Sequence, residues 1–414
     1  MKVGLIGEKL GHSFSKIIHE QIMDYTYDLI PLNIDEFHLF MNEKSFDAIN
    51  VTIPYKEKVI PYLDEMDEKA KMIGAVNAIK NVNGKLFGTN TDYDGLKMMI
   101  ENHFDLSNKT VVICGSGGTS KTAYAVCKDL NVKEIIQVAR NRDLPYITYE
   151  QMKSRKDIEI IINTTSVGMS PDILSSIVDL DDYPNCKGVI DVVYNPILTS
   201  LCYEAKKRNI PYICGLEMLV GQAISAIEFF TNQSVDSSLI QKISKDIFFD
   251  KQNIVLIGMP SCGKSSLGKK LSKELGYDYI DIDKMIAEKT NKTIPQIFKE
   301  SGEACFRKIE SEVCLEVSKC NHTVISCGGG IIKNEINMKA LALNGFIIYI
   351  KRDVDKLLVG NGRPLSKDKN ALLNMFEERE PLYLKYSDAS VSNNGYFKIT
   401  LENLKEVVYE NSRY

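Results

Sequence analysis

The sequence lacks the features that would place the protein in a membrane, in a disulfide-bonded class or on nucleic acid. No stretch approaches the roughly 18 to 20 consecutive apolar residues that are needed to cross a bilayer. The 10 cysteines include no CxxC pair, so we expect reduced core thiols rather than disulfides. The formal net charge of -4 argues against a general basic surface for nucleic acid or membranes.

The beginning of the chain also shows no targeting signal. The first residues, MKVGLIGEKLGHS, enter a strand-like pattern without a cationic stretch, an apolar core region or a cleavage site. We therefore expect a cytoplasmic protein. At 414 residues the chain is too long for one ordinary core, which predicts two or three domains.

Short apolar segments alternate with polar turns and amphipathic helical patterns. These segments are rich in Val and Ile and apolar almost throughout, as in parallel strands covered on both faces, so the alternation predicts an α/β protein. An Asn83-Gly84 turn between residues 76–80 and 85–88 predicts a β-hairpin, so the first sheet should be mixed. The other predicted strands are residues 2–7, 48–54, 111–115, 134–140, 159–163, 189–194, 253–258, 323–326 and 346–351.

The most specific motif begins at Gly258, where GMPSCGKSS matches the pattern G-x-x-x-x-G-K-S of a phosphate-binding loop. A predicted strand precedes it and a helical pattern follows, as such a loop requires. Its backbone amides would cradle the phosphates of ATP, its lysine would reach the β- and γ-phosphates, and its serine hydroxyl would face Mg²⁺. The predicted ATP-binding residues are Gly258, Ser261, Cys262, Gly263, Lys264, Ser265 and Ser266, and Ser265 is also the predicted metal ligand.

Five further features follow this loop in order: YIDID, GEACFRKIE, the triple glycine at 328–330, NGRPL and EREPLY. Asp281 and Asp283 stand two residues apart at the end of a predicted strand, so we expect their side chains to point the same way. In this order and spacing the features resemble shikimate kinase over residues 252–414. The resemblance implies a P-loop kinase domain in which helices flank a parallel sheet.

The resemblance also implies roles for individual residues. Asp281 would orient Mg²⁺ through water, and Arg363 would contact ATP from a mobile lid and stabilise the transferred phosphoryl group. The implied shikimate ligands are Asp283, Arg307, Gly328, Gly329, Gly330 and Arg379. Two positions depart from the family pattern, because Ser261 stands where glycine is more common and the lid segment 361–369 is short.

A second strand, glycine turn and helix occur in VVICGSGGTSKTAYAV, a weaker pattern that predicts dinucleotide binding. The next predicted strand ends in Ala139 and Arg140, where an NAD site would have Asp or Glu. A cation there favours the 2′-phosphate of NADP, although Arg140 could also be a solvated strand end. The predicted cofactor contacts in this unit are Gly115, Gly117, Gly118, Thr119 and Arg140, which Arg142 could assist.

Motifs on both sides of this unit resemble shikimate dehydrogenase over about residues 1–247. GHSFSKIIHE, NVTIPYKE, GAVNAI and GTNTDYDG precede the unit, and INTTSVGM, DVVYNP and GLEMLVGQA follow it. The resemblance implies a mixed-sheet catalytic lobe of residues 1–100, completed by helices of about 215–247, and a Rossmann-like NADP lobe of residues 101–214. We place a short linker at 248–253 and the kinase domain at 254–414.

The dehydrogenase resemblance assigns the chemistry to Lys56. Reduction of a ketone by hydride leaves an alkoxide, and an ammonium within hydrogen-bond reach can protonate it, with Asp92 holding the lysine in place. The implied substrate ligands are Ser13, Ser15, Thr52, Asn77, Asp92, Tyr194 and Gln222, and the further cofactor contacts are Asn163, Gly215 and Met218. Tyr194 and Met218 could instead be core residues, and Asn163 a turn residue.

The two assignments predict consecutive reactions of aromatic amino acid biosynthesis. NADPH would reduce 3-dehydroshikimate to shikimate, and ATP would then phosphorylate the 3-hydroxyl to give shikimate 3-phosphate. The predicted partners are these small molecules, with no nucleic acid and no membrane. Two alternatives stay open: the first half could prefer quinate, and the second half could be a shikimate-sensing module without kinase chemistry.

Overall fold

The computed structural model describes residues 1–10, 14–140, 145–358 and 369–411, and these form two compact units. Unit 1 consists of Met1–Met169, Ser175–Tyr194 and Leu201–Ser244, and unit 2 of Ser170–Leu174, Asn195–Ser200 and Lys245–Tyr414. Both units are built from layers of helices and strands, which confirms the α/β prediction. Within the described ranges, no helix is both long enough and apolar enough to cross a membrane.

The first sheet of unit 1 is mixed, as the hairpin predicted. Its strands are β1 (Val3–Gly7), β2 (Tyr27–Pro31), β3 (Ala48–Val51), β4 (Glu65–Met66), β5 (Ala78–Val82) and β6 (Lys85–Thr89). They lie in the order β2-β1-β3-β5-β6-β4. Strand β1 runs parallel to both of its neighbours, whereas β5 is antiparallel to β3 and β6. Asn83 and Gly84 form the predicted turn with φ of 52° and 85°.

The second sheet of unit 1 is entirely parallel and has the order β11-β10-β9-β7-β8. Its strands are β7 (Thr110–Cys114), β8 (Glu134–Val138), β9 (Ile160–Asn163), β10 (Gly188–Asp191) and β11 (Tyr212–Cys214). The helices up to residue 251 are α1 (Ser15–Ile22), α2 (Ile34–Glu43), α3 (Glu68–Ile73), α4 (Thr91–His103), α5 (Gly118–Asp129), α6 (Tyr149–Ser154), α7 (Ser200–Lys207), α8 (Leu216–Thr231) and α9 (Ser238–Lys251).

Helices α4 and α8 pack unusually closely, and a glycine makes this possible. A Cβ atom on Gly95 would lie 2.5 Å from the carbonyl oxygen of Met218 and 2.7 Å from the backbone nitrogen of Gln222. These distances are shorter than any side-chain carbon tolerates against rigid backbone, so the position requires glycine. The close approach brings the turn of α4 that carries Asp92 next to the turn of α8 that carries Gln222.

Unit 2 contains a third sheet, all parallel, in the order β13-β14-β12-β15-β16. Its strands are β12 (Asn253–Ile257), β13 (Asp278–Asp281), β14 (Thr323–Ser326), β15 (Gly345–Lys351) and β16 (Ala389–Ser392). Its helices are α10 (Lys264–Leu275), α11 (Ile282–Thr290), α12 (Ile294–Val317), α13 (Glu335–Asn344), α14 (Lys369–Tyr386) and α15 (Phe397–Asn411). Central strand β12 is buried along its whole length and anchors the core of this unit.

Some local sequence predictions were wrong in their bounds. The strand before Asp283 ends at Asp281, whose side chain accepts a hydrogen bond from the backbone of Lys284 and caps helix α11. Asp283 therefore lies on a helix, and the expectation that it points the same way as Asp281 because both stand on one strand does not hold. Helix α9 continues to Lys251, so most of the segment 248–253 is helical. The strands predicted at 48–54, 134–140 and 189–194 end at Val51, Val138 and Asp191.

The packing of α1 and β2 encloses His19, whose side chain has no exposure to solvent. Its ring stacks on Tyr27 with centroids 4.1 Å apart, and its Nδ1 lies 2.7 Å from the Tyr25 hydroxyl. Nε2 is buried and has no hydrogen-bond partner among the residues that the structure describes. Burial lowers the pKa of His19 to about 3, so the imidazole is neutral near pH 7.

We expect the stability of unit 1 to fall as the pH is lowered from 7 to 5. The folded-state pKa of His19 lies below its unfolded value, so the unfolded chain binds the proton first and is favoured as the pH drops below about 6.5. This residue alone should cost about 2 kcal/mol of unfolding free energy over that interval. Urea denaturation at several pH values should show a flatter pH dependence for His19→Gln, and equal slopes for both proteins would contradict the assignment.

Candidate active sites

In unit 1 the sequence-predicted lysine and carboxylate lie in direct contact. Lys56 Nζ is 2.5 Å from Asp92 Oδ2, and the side-chain amide of Asn77 donates to Asp92 Oδ1 at 2.9 Å. The Lys56 and Asp92 side chains are only 20% and 12% exposed. Asp92 thus holds an ammonium on one oxygen and an amide on the other. An ammonium held in this way can donate a proton to a bound oxygen atom.

A fourth polar residue, which the sequence analysis missed, extends this cluster into the core. Asn50 on β3 is buried, accepts a hydrogen bond from the Tyr27 hydroxyl at 2.8 Å and donates one to the carbonyl oxygen of Asn77 at 3.2 Å. The sequence contained an indication of this role, because a buried asparagine in an otherwise apolar strand needs hydrogen-bond partners. Asn50 connects β3 to the segment that carries Asn77.

The other predicted substrate ligands of unit 1 lie on several different elements. Ser15 begins α1 and is buried, and Thr52 directly follows β3. Tyr194 follows β10 and packs edge-on against Phe14, the residue before Ser15, with ring centroids 6.0 Å apart. Gln222 uses its amide to donate to the carbonyl of Leu219 within α8 at 3.0 Å. Ser13 lies outside the described residues.

The predicted dinucleotide turn has the geometry of a phosphate site. Helix α5 begins at Gly118 directly after β7 and its turn, and no side chain caps its first amides. Cβ atoms built on Gly117 and Gly118 would meet no atom of the described residues within 4 Å, so these residues leave the surface over the turn open. Free amides at a helix start bind anions, and these residues therefore fit the pyrophosphate of a dinucleotide. Thr119 lies in the first turn of the same helix.

The remaining predicted cofactor contacts lie at carboxyl ends of the parallel strands. Arg140 is exposed two residues beyond the end of β8, a position suited to an anionic 2′-phosphate. Asn163 is buried at the end of β9, where its amide donates to Asp191 Oδ1 at 3.0 Å and therefore also fixes local structure. Gly215 caps α8 and Met218 is buried in its first turn. Arg142 lies outside the described residues.

Unit 2 contains a cavity of about 730 Å³ that gathers most of the kinase-like residues predicted from the sequence. Lys264 begins α10, is almost fully buried, and donates from Nζ to the loop carbonyls of Gly258 and Met259, each at 2.9 Å. Thus the lysine is already folded back over its own loop, as phosphate binding requires. The cavity is lined by Ser261, Gly263, Lys264, Ser265, Ser266, Asp281, Asp283, Arg307, Gly328, Gly329, Gly330 and Arg379, among others.

The predicted metal ligands lie together at one side of this cavity. Ser265 Oγ donates to Asp281 Oδ2 at 2.7 Å, and the Tyr279 hydroxyl lies 3.2 Å from the same carboxylate oxygen. Hydroxyl and carboxylate oxygens are the hard donors that Mg²⁺ prefers, and Mg²⁺ usually takes only one or two of them from the protein. Ser265 and Asp281 therefore fit a magnesium ion that also binds nucleotide phosphates.

Two acidic residues hold the first predicted arginine in position. Arg307 Nη1 donates to Glu310 Oε2 at 2.7 Å, and Nη2 donates to Glu303 Oε1 at 3.0 Å. Glu310 is 1% exposed, and burial raises its pKa against the opposing effect of the Arg307 guanidinium. A Cβ on Gly330 would lie 2.4 Å from Arg307 Nη2, so the glycine turn leaves room for this arginine. Glu310 was not predicted from the sequence, although its spacing of three residues from Arg307 on a helix was a usable signal.

The second predicted arginine and a tyrosine hold the glycine turn from the opposite side. Arg379 is buried in α14 and donates from Nη1 to the carbonyl of Gly329 at 3.0 Å. The hydroxyl of Tyr383, one turn further along α14, donates to the same carbonyl at 2.6 Å. Asp283 faces the turn as well, since its Oδ1 lies 2.6 Å from a Cβ built on Gly328. Tyr383 was not among the residues predicted from the sequence.

The two departures from the family pattern have different outcomes. Ser261 has a left-handed φ of 65°, which explains why glycine is common at this position, and its hydroxyl lies 3.4 Å from the carbonyl of Leu358. Cys262 is buried within the same loop. Arg363 and most of the short lid segment lie outside the described residues.

Comparison with known protein families identifies two families along the chain. The model of the family described as shikimate dehydrogenase substrate binding domain matches residues 5–79. The model of the family described as shikimate kinase matches residues 260–408. The two matches do not overlap and follow the order of the two motif sets in the sequence.

Individual relatives give the same division. A shikimate dehydrogenase (NADP(+)) of Methanosphaera stadtmanae is 33% identical over 266 residues, which cover 58% of this chain and 94% of the relative. A shikimate kinase of Clostridium botulinum is 42% identical over 165 residues, covering 39% of this chain and 99% of the relative. The crystal structure of shikimate dehydrogenase 1 from Peptoclostridium difficile superposes with a TM-score of 0.56 at 33% identity, covering 60% of this chain and 98% of that chain.

The Tyr383 hydroxyl should stabilise unit 2 through its contact with the glycine turn. Tyr383→Phe removes a hydrogen bond to a buried carbonyl, and we expect the unfolding free energy of unit 2 to fall by about 1 kcal/mol. Tyr396→Phe is the matched control, because Tyr396 is 81% exposed and should change stability by less than about 0.5 kcal/mol. Urea denaturation of both variants tests this, and equal midpoints would refute a role for the hydroxyl.

Proposed function

The chain belongs to the shikimate dehydrogenase family in its N-terminal part and to the shikimate kinase family in its C-terminal part, and we propose how its residues perform the two reactions. It is a bifunctional enzyme of the shikimate pathway that uses NADPH, ATP and Mg²⁺. The dehydrogenase reaction is supported by the contacts among Lys56, Asp92 and Asn77 in unit 1. The kinase reaction is supported by the cavity of unit 2, which is lined by Lys264, Asp283 and Arg307.

In the first reaction, 3-dehydroshikimate is reduced to shikimate. Bound NADPH would supply the hydride for the carbonyl carbon and would itself become NADP⁺. Lys56 donates the proton that converts the resulting alkoxide into the 3-hydroxyl, and Asp92 keeps the ammonium directed at that oxygen. We assign Ser13 and Ser15 to the carboxylate of the substrate, and Thr52, Asn77, Tyr194 and Gln222 to its ring and hydroxyls.

In the second reaction, the shikimate 3-hydroxyl oxygen forms a bond to the γ-phosphorus of ATP, while the bond from that phosphorus to the β-phosphate oxygen breaks and ADP leaves. The hydroxyl proton passes to the Asp283 carboxylate. Arg307 and Arg379 bind the shikimate carboxylate, for which planar guanidinium groups are well suited. Lys264 binds the β- and γ-phosphates, and Ser265, with Asp281 through water, would hold a Mg²⁺ ion that offsets the charge of these phosphates.

We propose that both reactions take place in the cytoplasm. All 10 cysteines are free thiols in the structure, and eight of them are buried. Free thiols are typical of proteins in a reducing compartment.

The direct test supplies purified protein with 3-dehydroshikimate, NADPH, ATP and Mg²⁺, and follows NADPH absorbance and products by mass spectrometry. We expect shikimate 3-phosphate, and shikimate alone when ATP is omitted. Accumulation of shikimate in the presence of ATP would refute the kinase assignment, and a constant NADPH signal would refute the dehydrogenase assignment. Quinate with NADP⁺ in the reverse direction tests the remaining substrate alternative.

Lys56→Met should reduce kcat for 3-dehydroshikimate reduction by about 10²- to 10⁴-fold, because the proton donor is lost. Lys58→Met is the matched control, since within the described part of the chain this neighbouring lysine makes a cation–π contact with Tyr55 and no hydrogen bond, and its loss should leave kcat nearly unchanged. The kinase rate of the same sample serves as an internal measure of active protein. A Lys56→Met enzyme with normal kcat would exclude this lysine as the proton donor.

A further inference from the structure

The cavity of unit 2 contains a guanidinium that the proposed mechanism does not use. Arg352 directly follows β15 and lines the cavity together with Ser261, Lys264 and Leu358. Strand β15 runs parallel to β12, the strand that leads into the phosphate loop, with Tyr349 opposite Ile257. The carboxyl ends of both strands therefore meet at one edge of the sheet, and Arg352 lies beside the phosphate loop.

The other strongly basic groups around the phosphate and glycine turns are engaged by the protein. Lys264 donates to two loop carbonyls, Arg307 to two glutamates and Arg379 to the Gly329 carbonyl. Nε of both Arg352 and Arg379 is buried without a hydrogen-bond partner among the described residues, but Arg379 is held through its Nη1, whereas the Arg352 side chain has no such contact with them. A buried guanidinium N–H costs free energy until an acceptor reaches it. Arg352 therefore needs a hydrogen-bond acceptor that the described part of the chain does not provide.

The backbone on both sides of Arg352 is fixed, so the side chain projects from a rigid base. The carbonyl of Lys351 accepts a hydrogen bond from the backbone nitrogen of Asn393 at 2.7 Å. The backbone nitrogen of Asp353 donates to Asn394 Oδ1 at 2.9 Å, and the Asn394 amide donates back to Asp353 Oδ1 at 2.7 Å. These contacts tie the end of β15 to the turn after β16. A ligand contact made by Arg352 would therefore require little ordering of the backbone.

We propose that Arg352 is a nucleotide-binding residue of the kinase site, and that its guanidinium binds an oxygen of the phosphate chain of ATP and ADP. Phosphate oxygens are the acceptors that match the planar, permanently charged fork of arginine. The position beside the phosphate loop, and not beside the glycine turn that faces Asp283, assigns Arg352 to the nucleotide rather than to shikimate. This inference rests on the proposed kinase function.

The test measures binding of ADP and of inorganic tripolyphosphate to the full chain by isothermal titration calorimetry. NADP⁺ is kept at saturation so that the dinucleotide site of unit 1 is filled. Arg352→Ala should weaken both ligands by a similar factor of about tenfold or more, because both present the phosphate oxygens. Arg352→Lys retains the charge without the fork and should give an intermediate loss. The KM for shikimate should not change, which also shows that the unit is folded.

The control is Lys351→Ala, which removes the neighbouring cation that lies over the Tyr349 ring and should leave both affinities unchanged. Unaltered ADP and tripolyphosphate binding by Arg352→Ala would overturn the inference. Weaker ADP binding with normal tripolyphosphate binding would also overturn it, because the arginine would then contact the base. A wild-type chain that fails to phosphorylate shikimate would refute the kinase function itself, which is a separate outcome.

Discussion

The dinucleotide site of unit 1 and the nucleotide site of unit 2 both depend on the common direction of parallel strands. Parallel strands that are covered by helices on both faces place all their carboxyl ends at one edge, where the following turns meet. The glycine turn after β7 and the phosphate loop after β12 both open at such edges. Because each turn leads directly into a helix, it presents unsatisfied amides to an anion. The same geometry thus supplies a dinucleotide site in unit 1 and a nucleotide site in unit 2.

Much of this arrangement could be predicted because it depends on local sequence. A strand, a glycine turn and a helix follow one another without any long-range information, so the positions of Gly118 and Lys264 at helix starts followed from the motif. The mixed first sheet followed from the Asn83-Gly84 turn. Kinase-like residues that lie far apart in the sequence, among them Lys264, Asp283, Arg307 and Arg379, line one cavity. Family resemblance supplied their roles, which periodicity alone could not.

The parts that could not be predicted depend on contacts between distant residues. Asn50 matters because it reaches the backbone of Asn77, and nothing in its immediate sequence names that partner. Tyr383 matters because α14 passes the Gly329 carbonyl, 54 positions earlier in the chain. The placement of Asp283 was missed for a different reason. Strand β13 ends at Asp281, because the side chain of Asp281 caps helix α11. The hydrophobic pattern of the sequence does not show whether the chain continues as a strand or begins a helix at this point.

The serine at position 261 has a consequence for the thermodynamics of nucleotide binding. Glycine in a phosphate loop explores many backbone conformations in the absence of ligand, whereas a residue with a Cβ at φ of 65° has few alternatives that avoid steric strain. Ser261 also lies within hydrogen-bonding distance of the Leu358 carbonyl, which restricts it further. The backbone of the phosphate loop at Ser261 is therefore already restricted in the folded, unliganded protein, before nucleotide binds. The entropy lost when nucleotide binds is correspondingly smaller, and the strain is borne by the unliganded protein instead.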